Sequence, residues 1–387
     1  MSQLPEGTLG DAIGVLIFTF ACLFANILLL WLYWISHERL SYVALVGYFA
    51  LLCTASSIIQ QIYNYSLWTD LLWAQLHYIK ANFKNADVIF NNGNFGFMRV
   101  LAVIRLFCYI VESSYLLAYC IQVTLTIFQL GLVKRNTKRV FAVAGRILPV
   151  VLAAITIGLL QTPQVQSSFA AYMVVANAQS VTSCTISIVL LTLVIRQYII
   201  SKLRWKRLQA SDESHESTSL WSRIRSNSST KTPSDSTITP AYAAQGTVFD
   251  DNWVVVRLSI AVLLISAFIL ANIVTHLPQR DDVERDAQAD KPDLGPERAR
   301  SNIVGYTFGV TPGLALWIVF GLTRTFRKIM YDTFVPRKWR RRGSRSSTSL
   351  PTAWDTPTGI EGRNFFGITL DPALQMDNLN RSPNKIT

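Results

Sequence analysis

A single carboxylate, Glu112, interrupts the stretch CYIVESSYLLAYC between Cys108 and Cys120, which otherwise reads as soluble in lipid. An ionised side chain at the centre of a bilayer costs about 2.5–3.5 kcal/mol on insertion scales, so such residues face a cavity or a partner and mark function. On a helix, Arg105, Tyr109, Glu112, Leu116, Tyr119 and Thr126 share one face, because their spacings are four, three, four, three and seven. That face must point into a bundle, since lipid offers no partner to either charge. A buried carboxylic acid can pass a proton to a bound molecule, because burial favours the neutral form. Tyr109, Tyr115 and Tyr119 bring three aromatic rings to the same segment. The alternative is that Glu112 pairs with Arg105 two turns away and only fixes packing, as buried ion pairs often do. The residues themselves leave both open.

Other polar positions accompany this face. Thr54, Ser57 and Gln61 lie three and four residues apart, with Gln60 beside them, and Asn302, Tyr306, Gly309 and Gly313 follow late in the chain, where Pro312 is expected to kink a helix. Together they predict a polar, aromatic-lined cavity. Glu112 is the candidate acid, and Arg105, Tyr109, Tyr115, Tyr119, Gln61 and Tyr306 are the candidate substrate contacts. Asn26, Asn272 and Ser259 read as hydrogen-bonding groups between helices. Asn64 opens a glycosylation sequon, Asn64-Tyr-Ser66, almost at the membrane surface, where a transferase has poor access. The five cysteines, Cys22, Cys53, Cys108, Cys120 and Cys184, show no metal spacing and are expected as free thiols, with a Cys108–Cys184 bridge left open. No metal and no cofactor is expected.

The elements that must position these residues follow from composition. Half of the 387 residues are hydrophobic and the mean hydropathy is +0.29. Apolar runs recur at the length of about 20 residues that a bilayer requires, so the fold class is an all-α polytopic bundle. Seven spans are read: Asp11–Ile35, Val43–Tyr63, Val103–Leu132, Ile147–Gln161, Val181–Leu203, Trp253–His276 and Asn302–Thr323. Lys134, Arg135, Lys138, Arg139 and Arg146 follow the third span, Lys202, Arg204, Lys206 and Arg207 the fifth, and RKWRRRGSR the last. These belong in the cytoplasm, which places the N-terminus outside or in a lumen and the C-terminus inside. The segment MSQLPEGTLGD lacks the basic stretch of a signal peptide. The net charge of +12 therefore describes a cytoplasmic face against anionic lipid and not a nucleic-acid site.

Residues 1–10 form a short outer terminus and 11–323 the bundle, whose outer loop 64–102 carries Trp68, Leu71, Leu72, Gln75, Leu76 and Ile79 at the spacing of an interfacial or re-entrant helix. The Ser- and Thr-rich segment 206–250 is expected to be a disordered cytoplasmic loop, and 277–301 a solvated charged loop. Residues 324–342 predict an amphipathic basic helix with Phe326, Ile329, Met330 and Phe334 on one face and Arg327 and Lys328 opposite, and 343–387 a disordered tail.

Three functional classes fit such a layout. It resembles G-protein-coupled receptors, but LGLVKRNTKR carries no Asp-Arg-Tyr, LLISAFILANIVTH no Cys-Trp-x-Pro and GVTPGLALWIVFGLTR no Asn-Pro-x-x-Tyr. A retinal protein needs a Schiff-base lysine in the last span, and none lies between Asn302 and Thr323. The third class rests on SHERLSYVALVGYF and YIVESSYLLAY, which, with the chain length and span layout, resemble fungal multi-span proteins of secondary-metabolite clusters, including meroterpenoid terpene cyclases of the ascochlorin and ascofuranone type. The resemblance covers roughly Asp11 to Arg327. It implies a membrane-embedded enzyme that protonates a terminal epoxide on a farnesyl-type chain and lets double bonds or a hydroxyl attack the opening carbon. The expected partners are then the bilayer, a lipophilic substrate and pathway enzymes in the endoplasmic reticulum or another endomembrane. The receptor alternative implies a G protein and the plasma membrane.

Overall fold

The computed structural model describes residues 3–128, 135–225 and 252–335. Every regular element among them is a helix: α1 (Leu9–Ile35), α2 (Tyr42–Ser66), α3 (Trp68–Asn82), α4 (Ala86–Phe90), α5 (Gly96–Ile127), α6 (Arg135–Leu160), α7 (Pro163–Gln166), α8 (Phe169–Arg225), α9 (Asn252–Gln288), α10 (Pro296–Leu316) and α11 (Arg324–Phe334). A π-helical turn, Trp317–Gly321, continues α10. Among the described residues, six helices are long and apolar enough to cross a membrane: α1, α2, α5, the Val143–Leu160 part of α6, the Phe169–Ile200 part of α8, and Pro296–Gly321. The chain is thus an integral, multi-pass membrane protein. The expected span Trp253–His276 lies within the continuous helix α9.

The pattern of residues explains the arrangement. Ile17, Phe24, Ile27, Ile147 and Ile155 stay exposed on α1 and α6, as lipid-facing positions do, whereas Leu29, Leu32, Val46, Ala50, Ile110, Val111, Val262 and Leu316 form the common core. α5 lies at the centre, against α2 and α8, and α10 packs on α1 and α2. Local signals set the ends. The Ser41 hydroxyl accepts from the Ala44 amide to start α2, and the Thr323 hydroxyl accepts from the Phe326 amide to start α11. Gly93 has a φ of +72°, and a Cβ there would lie 2.6 Å from Ile79 Cδ1, so this turn below α3 needs glycine.

Several helices overrun the expected spans. α5 begins at Gly96, before Val103, and α8 begins at Phe169 and runs on to Arg225, so residues 206–225 of the expected loop have helical backbone. Residues 226–250 and 343–387 lie outside the described residues, as does 336–342 of the expected amphipathic helix. The segment 277–301 is largely helical and not an open loop, because Arg280 pairs with Glu284 at 3.0 Å within α9 and Arg298 forks onto Asp286, which joins α10 to α9. α3 buries Trp68, Leu71, Leu72, Leu76 and Ile79. On α11, Phe326 is fully buried against the Tyr33 ring, 5.3 Å away, while Arg327 and Lys328 are exposed. All five cysteines are buried and free, so Cys108 and Cys184 are not bridged.

Candidate functional site

A polar seam runs between α1, α2, α5 and α10. α5 delivers Arg105, Tyr109 and Glu112 to it, since residues three and four apart stack on one side of a helix. α2 contributes Cys53, Ser57, Gln60 and Asn64, whose spacings of four, three and four form a stripe of their own. α10 supplies Tyr306, Gly309 and Gly313. Glycine matters at two of these positions: a Cβ on Gly309 would lie 2.6 Å from the Tyr109 hydroxyl, and one on Gly313 would lie 2.1 Å from Asn26 Nδ2.

The contacts show how Arg105 and Glu112 are each partnered. Arg105 Nη1 donates to Gln60 Oε1 at 2.8 Å, and the guanidinium carbon sits 5.8 Å from the centre of the Tyr306 ring. The Tyr109 hydroxyl donates to the Gly309 carbonyl at 3.0 Å, and the Cys53 thiol reaches the same carbonyl at 3.7 Å. Arg105 is therefore held by neutral groups. Among the described residues Glu112 has no ion pair, is only 4% exposed, and keeps Oε1 without a hydrogen-bond partner. Arg105 Nε is likewise unpartnered. Buried polar atoms left unpaired are rare enough to call for an explanation. Here an acid and a cation on one helix face, seven residues and about 10 Å of rise apart, each keep one polar atom unused.

Not every candidate joins them. Tyr306 is at the seam, where its hydroxyl accepts from Asn64 Nδ2 at 3.2 Å. Gln61 instead turns to α1 and donates to Thr19 Oγ1 at 3.0 Å, leaving Gln60 as the partner of Arg105. Tyr115 points toward α6, with its hydroxyl on the Arg146 carbonyl at 2.7 Å and its ring against Phe49. Tyr119 lies farther along, its ring 6.3 Å from that of Phe320. The stripe from Cys53 through Gln60 to Asn64 is the signal that would have found the α2 partners.

Asn64 is buried inside α2 with its amide bonded to Tyr306, a placement no glycan can share. A Ser66→Ala variant, which removes the sequon and spares that bond, is expected to show the same mobility shift on glycosidase treatment as the wild-type chain. A shift confined to wild type would overturn the buried placement.

A second buried acid escaped the pattern of apolar runs. Asp87, on the short helix α4, pairs with Arg99 at 2.7 Å and accepts from the Tyr172 hydroxyl at 2.7 Å and from Asn91 Nδ2 at 2.9 Å. Arg99 also reaches Gln161 Oε1 at 2.9 Å. This cluster ties α4, α5, α6 and α8 together, and its carboxylate is saturated by donors, which suits structure and not chemistry.

The fold and seam define a class: multi-pass helical membrane proteins with an ionisable site enclosed between spans. No family model matches the sequence, and no curated protein matches it either.

Proposed function

We propose that the chain is a membrane-embedded cyclase of an epoxidised, prenylated small molecule, with Glu112 as the general acid. The observation that carries this reading is the unpartnered carboxyl oxygen of Glu112, on the same helix face as an arginine whose charge is engaged by Gln60 and Tyr306 instead. The Glu112 O–H proton passes to the epoxide oxygen, and the bond from that oxygen to the more substituted carbon breaks. An alkene π pair then closes the ring on that carbon, and the last cation loses a proton that restores the carboxyl. The net reaction is an isomerisation, with no oxidant or reductant consumed. In this reading Arg105 Nε, unpartnered among the described residues, would donate to the polar head of the substrate, and Tyr109 and Tyr306 would line the chain. In this reading α9 completes a bundle of seven spans with the N-terminus in the lumen of the endoplasmic reticulum or a related membrane.

Membranes carrying the full chain should convert an epoxy-farnesyl phenol into a product of identical mass and shorter retention, and membranes without it should not. Absence of that product with correctly inserted protein removes the proposal. A receptor-type reading has one observation in its favour: α11 docks beneath the bundle through Phe326, where a coupling surface would lie. Deleting residues 226–250 separates the two, since cyclisation should survive and coupling to a G protein should not.

A further inference from the structure

We propose that Arg105 anchors an anion site in the seam, so that the molecule bound there carries a carboxylate or an acidic phenol as its head. This deepens the cyclase reading and rests on it for the rest of that molecule, while the site itself stands on Arg105 and its neighbours. A guanidinium keeps its charge at any physiological pH, and a buried charge without a counter-charge is strongly penalised. Arg99 and Arg298, also partly buried, follow that rule, since each pairs with an aspartate. Among the described residues Arg105 enters no ion pair. A protonated Glu112, as a general acid must be, leaves the seam with one positive charge unbalanced.

The hydrogen bonds around this arginine leave donors over. Gln60 Oε1 takes Nη1, so the remaining edge of the guanidinium, Nε with Nη2, is the side-on fork that holds a carboxylate through two parallel bonds. Nε has no partner, and glycine at position 309 leaves room beside Nη2, where a Cβ would intrude to 2.8 Å. The Tyr306 hydroxyl accepts from Asn64 Nδ2 at 3.2 Å, which leaves its own proton to donate. Gln60 and Tyr306 are only 3% and 8% exposed, so this donor set is shielded from bulk water. Arg105 and Tyr109 keep more accessible surface, which lets a small head reach them.

The donor set also selects among anions. One guanidinium fork and a neutral hydroxyl match a planar group with a single negative charge. A phosphate brings more charge and a third oxygen, for which the described part of the seam holds no second cation. A fatty acid from the bilayer and an aromatic acid from solution both present the matching head.

The test uses the full chain in phosphatidylcholine vesicles and compares binding of radiolabelled para-hexylbenzoate with that of its methyl ester, which has the same body and no charge. Wild type is expected to bind the acid saturably and the ester about tenfold more weakly or worse. Arg105→Met should weaken the acid by about 10–100-fold, the loss usual for hydrogen bonds to a charged group, and leave the ester unchanged. A purely structural role for the arginine would move both ligands together. Arg105→Lys, which keeps the charge without the fork, should fall between, and Tyr306→Phe, which keeps the ring beside the guanidinium, should cost about fivefold. Ile59→Ala, on the exposed face of α2, should bind as wild type does. Equal binding of acid and ester, or full acid binding by Arg105→Met, overturns the proposal. Should the arginine variants not insert, the comparison of acid with ester in wild type decides alone. Displacement by oleate and not by benzoate would support the site with a bilayer source for the head, and displacement by benzoate alone would support it with a soluble one. Glu112→Gln separates this site from the enzyme reading. Unchanged acid binding fits a neutral Glu112, whereas binding about tenfold tighter would reveal a carboxylate that had repelled the ligand, which sinks the general acid and spares the anion site. Cyclisation of a neutral substrate by a chain that binds no acid would do the reverse.

Discussion

Glu112→Gln is expected to lower the cyclisation rate by about 10²–10⁴-fold, the contribution typical of a positioned general acid. Gln has almost the same shape and still offers polar atoms, so the packing around this buried position is preserved. What it lacks is a proton that can leave. The control is Glu112→Asp, which keeps the acid but withdraws it by one methylene, about 1.5 Å, and should retain part of the rate because misplacement of that order weakens but does not abolish proton transfer. Turnover of the epoxide in membranes, normalised to inserted protein, reads both. Equal rates for the Gln variant and wild type would assign Glu112 to packing. The effect on folding should be small, since no described residue loses a hydrogen bond to Oε1.

Asp87→Ala should act the other way, with a large loss of stability and no specific effect on chemistry. The carboxylate is 2% exposed and takes Arg99, Tyr172 and Asn91 as donors, so its removal strands three groups at the junction of α4, α5 and α8. Breaking a buried ion pair by deleting one partner costs about 3–5 kcal/mol. The lower end applies, because the Arg99 side chain is 32% exposed and can recover water. Asp87→Asn, which retains one acceptor oxygen, should lose less. Thermal unfolding in a mild detergent, followed by intrinsic fluorescence of the tryptophans, distinguishes the three chains. An Asp87→Ala protein as heat-resistant as wild type would show that the cluster is not a clasp.

Much of the bundle was legible because a bilayer imposes length and periodicity on the chain at once. The face Arg105–Tyr109–Glu112 could be drawn from spacing alone, and the structure brings those three residues to one seam with Tyr306. Tyr115 could not be placed this way, for it sits only three residues beyond Glu112 and the direction of its ring is decided by Phe49 and the Arg146 carbonyl on other helices. Choosing between Gln60 and Gln61 was equally beyond a single helix, as each points to a different neighbour. Helix ends were misjudged for a related reason. Apolar runs report where lipid stops, whereas α9 continues past it on pairs such as Arg280–Glu284. Asp87 was hidden because its partners come from residues 91, 99 and 172, a set that only the folded chain assembles.

Gly309 and Gly313 carry a further consequence. With no side chains there, α10 comes close to α5 and α1 at two points, and polar groups meet it there, the Tyr109 hydroxyl on a carbonyl and the Asn26 amide over bare backbone. Contacts of that kind hold firmly in a dry medium and loosen once water competes for them. Solubilisation in a detergent that admits water is therefore most dangerous at this joint, and the integrity of the seam during purification depends on how well the belt of amphiphile keeps it dry.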